Sequence, residues 1–154
     1  MDILDYKVRA IINEPFEEGG RGVFLIQTPN TVKSNRWTTP GGNINHAQNP
    51  KECISRHIYD DLGIIANVYP HPLLEAVQSK RTSIDVFRAE LPEEYNFIIR
   101  GNALNARFFA PREIFTLGIA LSLDNRIIFS VLAKRGFFGD EFRSSCLQTV
   151  EIAV

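Results

Sequence analysis

Long apolar runs are absent from this sequence, cysteine is scarce, and neither sign of charge is in excess. No stretch approaches the ~18 apolar residues needed to span a bilayer, so no membrane helix is expected. Cys53 and Cys146 are the two cysteines, too few for a disulfide-stapled miniprotein. Lysine plus arginine total 17 against 18 aspartate plus glutamate, for a net charge of -1. That balance excludes bulk electrostatic binding to a nucleic-acid polymer or an anionic membrane, although a local phosphate site is compatible with it. Internal repeats and low-complexity stretches are also missing. Met1 to Asp5 is acidic where a secretory signal would be basic and then apolar. With so little cysteine, a cytoplasmic setting is expected.

What remains is 154 residues, 44% hydrophobic and 23% charged, which suits one globular domain over 1–154. Strands are expected at 7–12 and 22–28, where β-branched and aromatic residues cluster around the Gly19-Gly20-Arg21-Gly22 turn. A polar loop follows from Pro29 to Arg36, then a short extended piece, Trp37-Thr38-Thr39, ending at Pro40-Gly41-Gly42. The next helix has clear punctuation: Asn49 as N-cap, Pro50 at the first position, Glu52 three residues after the cap and Gly63 as the stop. Further strands are expected over 64–81, 82–91 and 105–110. A last helix starts near Ser122, with Ile127, Ile128, Val131 and Leu132 on one stripe and Lys134, Arg135 and Gly136 at its end. Strands and helices in this order predict an α/β or α+β layered domain with a mixed sheet between helices.

The chemistry-bearing stretch is Gly42 to Ile64, GNINHAQNPKECISRHIYDDLGI. At about 100° per residue, His57, Asp60 and Asp61 share one helical sector, beside a core sector of Ile54, Ile58 and Leu62. Asp60 and Asp61 fall in the last turn, where the helix dipole disfavours acids. A divalent cation would reverse that cost, since carboxylates with open positions hold Mg²⁺ beside substrate phosphates. The same acids also read as a solvated helix end. Cys53 stands one turn before His57, but with no second cysteine nearby a buried small residue is the simpler reading. Trp37, Phe137 and Phe138 are candidates for base stacking and equally for core packing.

Gly42 to Ile64 resembles a Nudix box: Gly, five residues, Glu, seven residues, then Arg-Glu-apolar-x-Glu-Glu-x-Gly-apolar. Gly42, Arg56, Ile58, Gly63 and Ile64 match in register, and Asp60 and Asp61 stand at the two consecutive glutamates. Gln48 replaces the first glutamate and His57 the glutamate after the arginine. The resemblance implies a Nudix-like α/β/α sandwich and hydrolysis of a diphosphate linkage in a nucleoside diphosphate derivative, with Mg²⁺ or Mn²⁺. It implies His57, Asp60 and Asp61 as metal ligands and catalytic groups. Gly41, Gly42, Trp37 and Arg56 would then be on the substrate side. Many family members add a carboxylate from a loop after the central strands, for which Glu90, Glu93 and Glu94 are candidates. Glu52, four residues before Arg56, could take over the ion pair that Gln48 cannot make. His57 could alternatively act as a base or have no catalytic part. Because Gln48 and His57 remove box carboxylates, a binding module that has lost hydrolysis is the competing function. The expected partner is a small nucleotide-type molecule, and the strand-like 149–154 segment suggests a homodimer as a further expectation.

Overall fold

Alternation along the first strand decides which side of the sheet each residue serves. The computed structural model describes residues 3–15, 21–45, 47–92, 101–145 and 147. In β1 (Asp5–Pro15), Val8, Ala10 and Ile12 enter one hydrophobic cluster while Ile11 enters the other. β1 pairs in parallel with β5 (Thr82–Glu90), which pairs antiparallel with β4 (Asn67–Ser79). On its other edge β1 forks. Lys7 to Arg9 pair with β3 (Gly41–Asn43), whereas Asn13 to Pro15 pair with β2 (Arg21–Gln27), whose far edge takes β6 (Asn105–Phe109).

The Trp37–Pro40 segment wedges into this fork. Thr38 exchanges backbone hydrogen bonds with Ile26, and the Ala10 amide donates to the Pro40 carbonyl at 2.8 Å. The extended piece expected from sequence is therefore real, and it holds the two arms of the sheet apart.

Helix α2 (Pro50–Leu62) follows its punctuation. Asn49 accepts from the amides of Lys51 and Glu52, and Gly63 terminates the helix at φ 70°. Ile54, Ile58 and Leu62 bury against the face carrying Val8, Ala10 and Ile12. On the opposite face, Ile128, Phe129 and Leu132 of α4 (Leu123–Lys134) pack with Ile11, Leu25 and Val86. The sheet thus lies between helices, as expected.

Two short helices differ from the sequence reading: α1 (Pro29–Val32) where a loop was expected, and α3 (Pro111–Phe115) after β6. Each begins with a proline at its start and lasts little more than one turn, too short to show hydrophobic periodicity. Phe138 is buried in the α4-side cluster and Phe137 packs against it, so these aromatics belong to the core. Glu93, Glu94, Cys146 and the 149–154 segment lie outside the described residues. Among the described residues, no helix is long and apolar enough to cross a membrane.

Candidate active site

The fork in the sheet leaves a cleft of about 520 Å³ beside the end of α2. That volume lies within the roughly 300–1,000 Å³ of small-molecule sites. Of the candidates from sequence, Gly41, Gly42, His57 and Asp61 line it, and Asp60, Arg56 and Trp37 do not.

Gly41 sits at φ 145°, and a Cβ there would lie 2.1 Å from the Val8 carbonyl oxygen, so only glycine allows β3 to lie this close to β1. A Cβ on Gly42 would meet the His57 ring at 2.6 Å. The missing side chain is what lets the imidazole rest on β3, where Nε2 lies 3.2 Å from the Asn43 carbonyl oxygen. Cys53 also faces that carbonyl, its Sγ donating at 3.5 Å. The thiol is buried and free, and burial pushes its pKa up, partly offset by the Arg56 guanidinium.

Asp61 is half-buried. Burial pushes its carboxyl above the usual carboxylate range, His57 pulls it back, Asp60 raises it further and Arg9 lowers it. Asp60 is exposed, yet its backbone is engaged: the Asn102 and Ala103 amides donate at 2.9 Å to the carbonyls of Asp60 and Asp61. Orphan carbonyls at the end of α2 are thereby satisfied and the carboxylate-bearing turn is pinned.

Arg56 is exposed, and no ion pair joins it to Glu52 among the described residues, so the compensation expected for Gln48 does not occur. Gln48 instead accepts the Asn45 amide at 3.1 Å, closing the loop before α2. Trp37 packs edge-on to Phe109 at 4.7 Å with Arg107 6.0 Å above its ring, away from the cleft. Glu90 accepts from the Tyr69 hydroxyl at the end of β5.

The sequence reading missed the other wall. Lys7 and Arg9 from β1 and Asp124 from α4 line the cleft facing the end of α2, with side chains 29%, 12% and 17% exposed. The available signal was parity: Lys7 and Arg9 alternate in step with the buried Ile11, an odd place for two cations. Asn125, fully buried, holds this wall in place. Its Oδ1 accepts from the Thr39 amide at 3.1 Å and the Thr39 hydroxyl at 2.6 Å, and its Nδ2 donates to Thr38 Oγ1 at 2.8 Å.

The donor chemistry limits how a metal could bind. Among the described residues, no three His, Cys, Asp or Glu side chains converge into a preassembled cage. Asp61, the box carboxylate that lines the cleft, suits Mg²⁺, which commonly uses one or two carboxylates and takes its remaining ligands from substrate phosphates and water.

The NUDIX domain family matches residues 5–126, most of the chain. No curated protein matches by sequence. Among solved structures, a NUDIX hydrolase from Nitrosomonas europaea is similar at 16% identity, with 96% of this chain and 78% of that one covered and a TM-score of 0.62. A Nudix hydrolase from M. smegmatis is 14% identical, with 85% and 84% covered and a TM-score of 0.63. An ADP-ribose pyrophosphatase from Streptococcus suis is 17% identical, with 68% and 72% covered and a TM-score of 0.52. At these identities the structures share a fold, and the domain match supplies the lineage: the chain belongs to the Nudix family.

Proposed function

We propose that the protein is a Nudix pyrophosphohydrolase that cleaves the diphosphate linkage of a small nucleoside diphosphate derivative. The observation that carries this reading is the cleft itself, which sets Asp61 and His57 of α2 across from Lys7 and Arg9 of β1. Acid–base groups on one side and phosphate-binding cations on the other are what attack on a phosphorus centre requires. The similar S. suis structure is of an ADP-ribose pyrophosphatase, in keeping with this substrate class.

Asp60 and Asp61 would hold Mg²⁺ or Mn²⁺ together with the substrate's phosphates. The bound ion would polarise phosphate oxygens and acidify water. The chain's own groups do the rest. Lys7 and Arg9 neutralise phosphate charge, and the glycine pair at 41 and 42 lets backbone approach closely. With Nε2 donating to the Asn43 carbonyl, His57 keeps Nδ1 free to accept a proton from attacking water. Glu93 and Glu94 remain candidates for a further carboxylate.

The test is turnover of a panel of ADP-ribose, nucleotide sugars, dinucleotides and nucleoside triphosphates with Mg²⁺ or Mn²⁺. Hydrolysis of at least one class, abolished by EDTA, is expected; no turnover of any member would overturn the reading. A second reading is a nucleotide-binding module without hydrolysis. Gln48 and His57 favour it, because each stands where the box has a carboxylate. Tight binding of an intact ligand with no product after long incubation would select it.

A further inference from the structure

The β1–α4 wall of the cleft carries charges that the box does not explain. Lys7 Nζ lies 3.5 Å and Arg9 Nη2 3.7 Å from the same oxygen of Asp124. Tight charge-assisted bonds between these groups run at about 2.7–2.9 Å, so both pairs are loose. Arg9 Nη1 donates to the Thr39 carbonyl at 3.2 Å, while its Nε is buried with no hydrogen-bond partner among the described residues. Desolvation pulls the Arg9 pKa down, and Asp124 and then Asp61 push it back up. The guanidinium is thus largely removed from water while its resident carboxylate stands at the outer edge of ion-pair distance.

The looseness has a structural cause. Asp124 belongs to the first turn of α4, and Asn125 ties that turn to Thr38 and Thr39 in the wedge. The backbone of Asp124 is thereby held in place, and its carboxylate meets the two cations only at these longer distances. A phosphate group entering the cleft has no such tether, and its oxygens can meet the planar guanidinium fork at full hydrogen-bond contact.

We propose that Lys7 and Arg9 are the phosphate-receiving groups of the cleft and that Asp124 is a built-in competitor. It shields the two cations while the cleft holds no ligand and yields them to a phosphate oxygen. Formally the lining is balanced, Lys7 and Arg9 against Asp61 and Asp124, so an incoming dianion must outbid a resident carboxylate. Selectivity follows: a diphosphate, with several oxygens to share between two cations, competes better than a monophosphate or a carboxylate. The inference rests on reading the cleft as a diphosphate site, but it concerns binding and not cleavage.

The experiment is calorimetric titration with inorganic pyrophosphate in EDTA, where no metal-dependent turnover takes place. Asp124→Asn should tighten binding about threefold to tenfold by removing the competitor. Arg9→Gln should weaken it about tenfold or more, with Arg9→Lys falling between because an ammonium lacks the fork. Asp124→Asn keeps the side chain's size and its α4 hydrogen-bond network, so it stays informative even if the Arg9 variants fold poorly. Equal or weaker binding by Asp124→Asn would overturn the proposal, as would undiminished binding by Arg9→Gln or no binding by the unmodified protein. Turnover measured separately keeps the two readings apart. A protein that binds in this pattern and hydrolyses nothing keeps the inference and loses the hydrolase. One that hydrolyses with affinity indifferent to Asp124 does the reverse.

Discussion

The cleft has two walls built in different ways. The α2 wall comes from one continuous stretch, in which an N-cap, a helix and a glycine stop present His57 and Asp61 at helical spacing. The β1–α4 wall joins residues 117 positions apart, Lys7 and Asp124, through a sheet register and a buried asparagine. The first is local and holds the groups proposed for acid–base and metal chemistry. The second is assembled by tertiary packing and carries the charge that a phosphate would meet.

Breaking the α2 wall should have the largest effect. Asp61→Asn is expected to lower turnover on any substrate the protein accepts by about a hundredfold or more, because it removes a carboxylate proposed to hold the metal, where even outer-shell changes cost about 10–100-fold. Pyrophosphate affinity in EDTA should change far less. A parallel loss of both in steady-state kinetics and calorimetry would erase the distinction between the walls.

Loosening the β1–α4 wall comes next. Asn125→Ala takes the shared partner from the Thr39 amide and from the Thr38, Thr39 and Ser122 hydroxyls and should cost about 1–3 kcal/mol, read from denaturant unfolding. It should also weaken pyrophosphate binding, because Asp124 and the wedge lose their fixed relation. A variant of normal stability would show that the network is ornamental.

Gly42→Ala probes the contact of His57 with β3. The added methyl meets the ring at 2.6 Å, and the imidazole must move off the Asn43 carbonyl. Turnover should fall about tenfold, with a small change in melting temperature. An unchanged histidine proton resonance would show that the ring does not depend on that seat.

The smallest effect is on stability against pH. Burial raises the Asp61 carboxyl in the folded state, so the fold binds more protons than the unfolded chain between the ordinary carboxylate range and the raised value. Stability therefore falls as pH rises through that window, and the penalty is complete above it. Asp61→Asn should melt slightly higher than the unmodified protein at neutral pH. The gap should close as pH falls toward about 4. A lower melting temperature at neutral pH would mean that the charge stabilises the fold through Arg9.

Much of the architecture was legible because its signals are local. Asn49, Pro50 and Gly63 bound α2 at both ends, and clustered β-branched and aromatic residues marked β1 and β2. The short α1 and α3 were not legible, since one helical turn leaves no period to read. Trp37 illustrates another limit. Its neighbours in sequence lead into the cleft, while its ring turns to Phe109 and Arg107 on the other arm of the fork. Arg56 and Asp60 show that helical spacing assigns a sector but not what faces it: both remain exposed while Asp61, next in sequence, enters the cleft.

By itself the sequence determined the Nudix box register, the α2 boundaries and the placing of His57 and Asp61 on one side of a helix. The helix boundaries and that placing follow from hydrogen bonds and dihedrals that span four residues or fewer. Only the tertiary structure decided that β1 forks, that Thr38 and Thr39 fill the gap, and that Asp124 meets Lys7 and Arg9 across it. The physical reason is range. Capping and helical period are set by neighbours along the chain, whereas a charge's partner is set by which strands pair and which faces they bury.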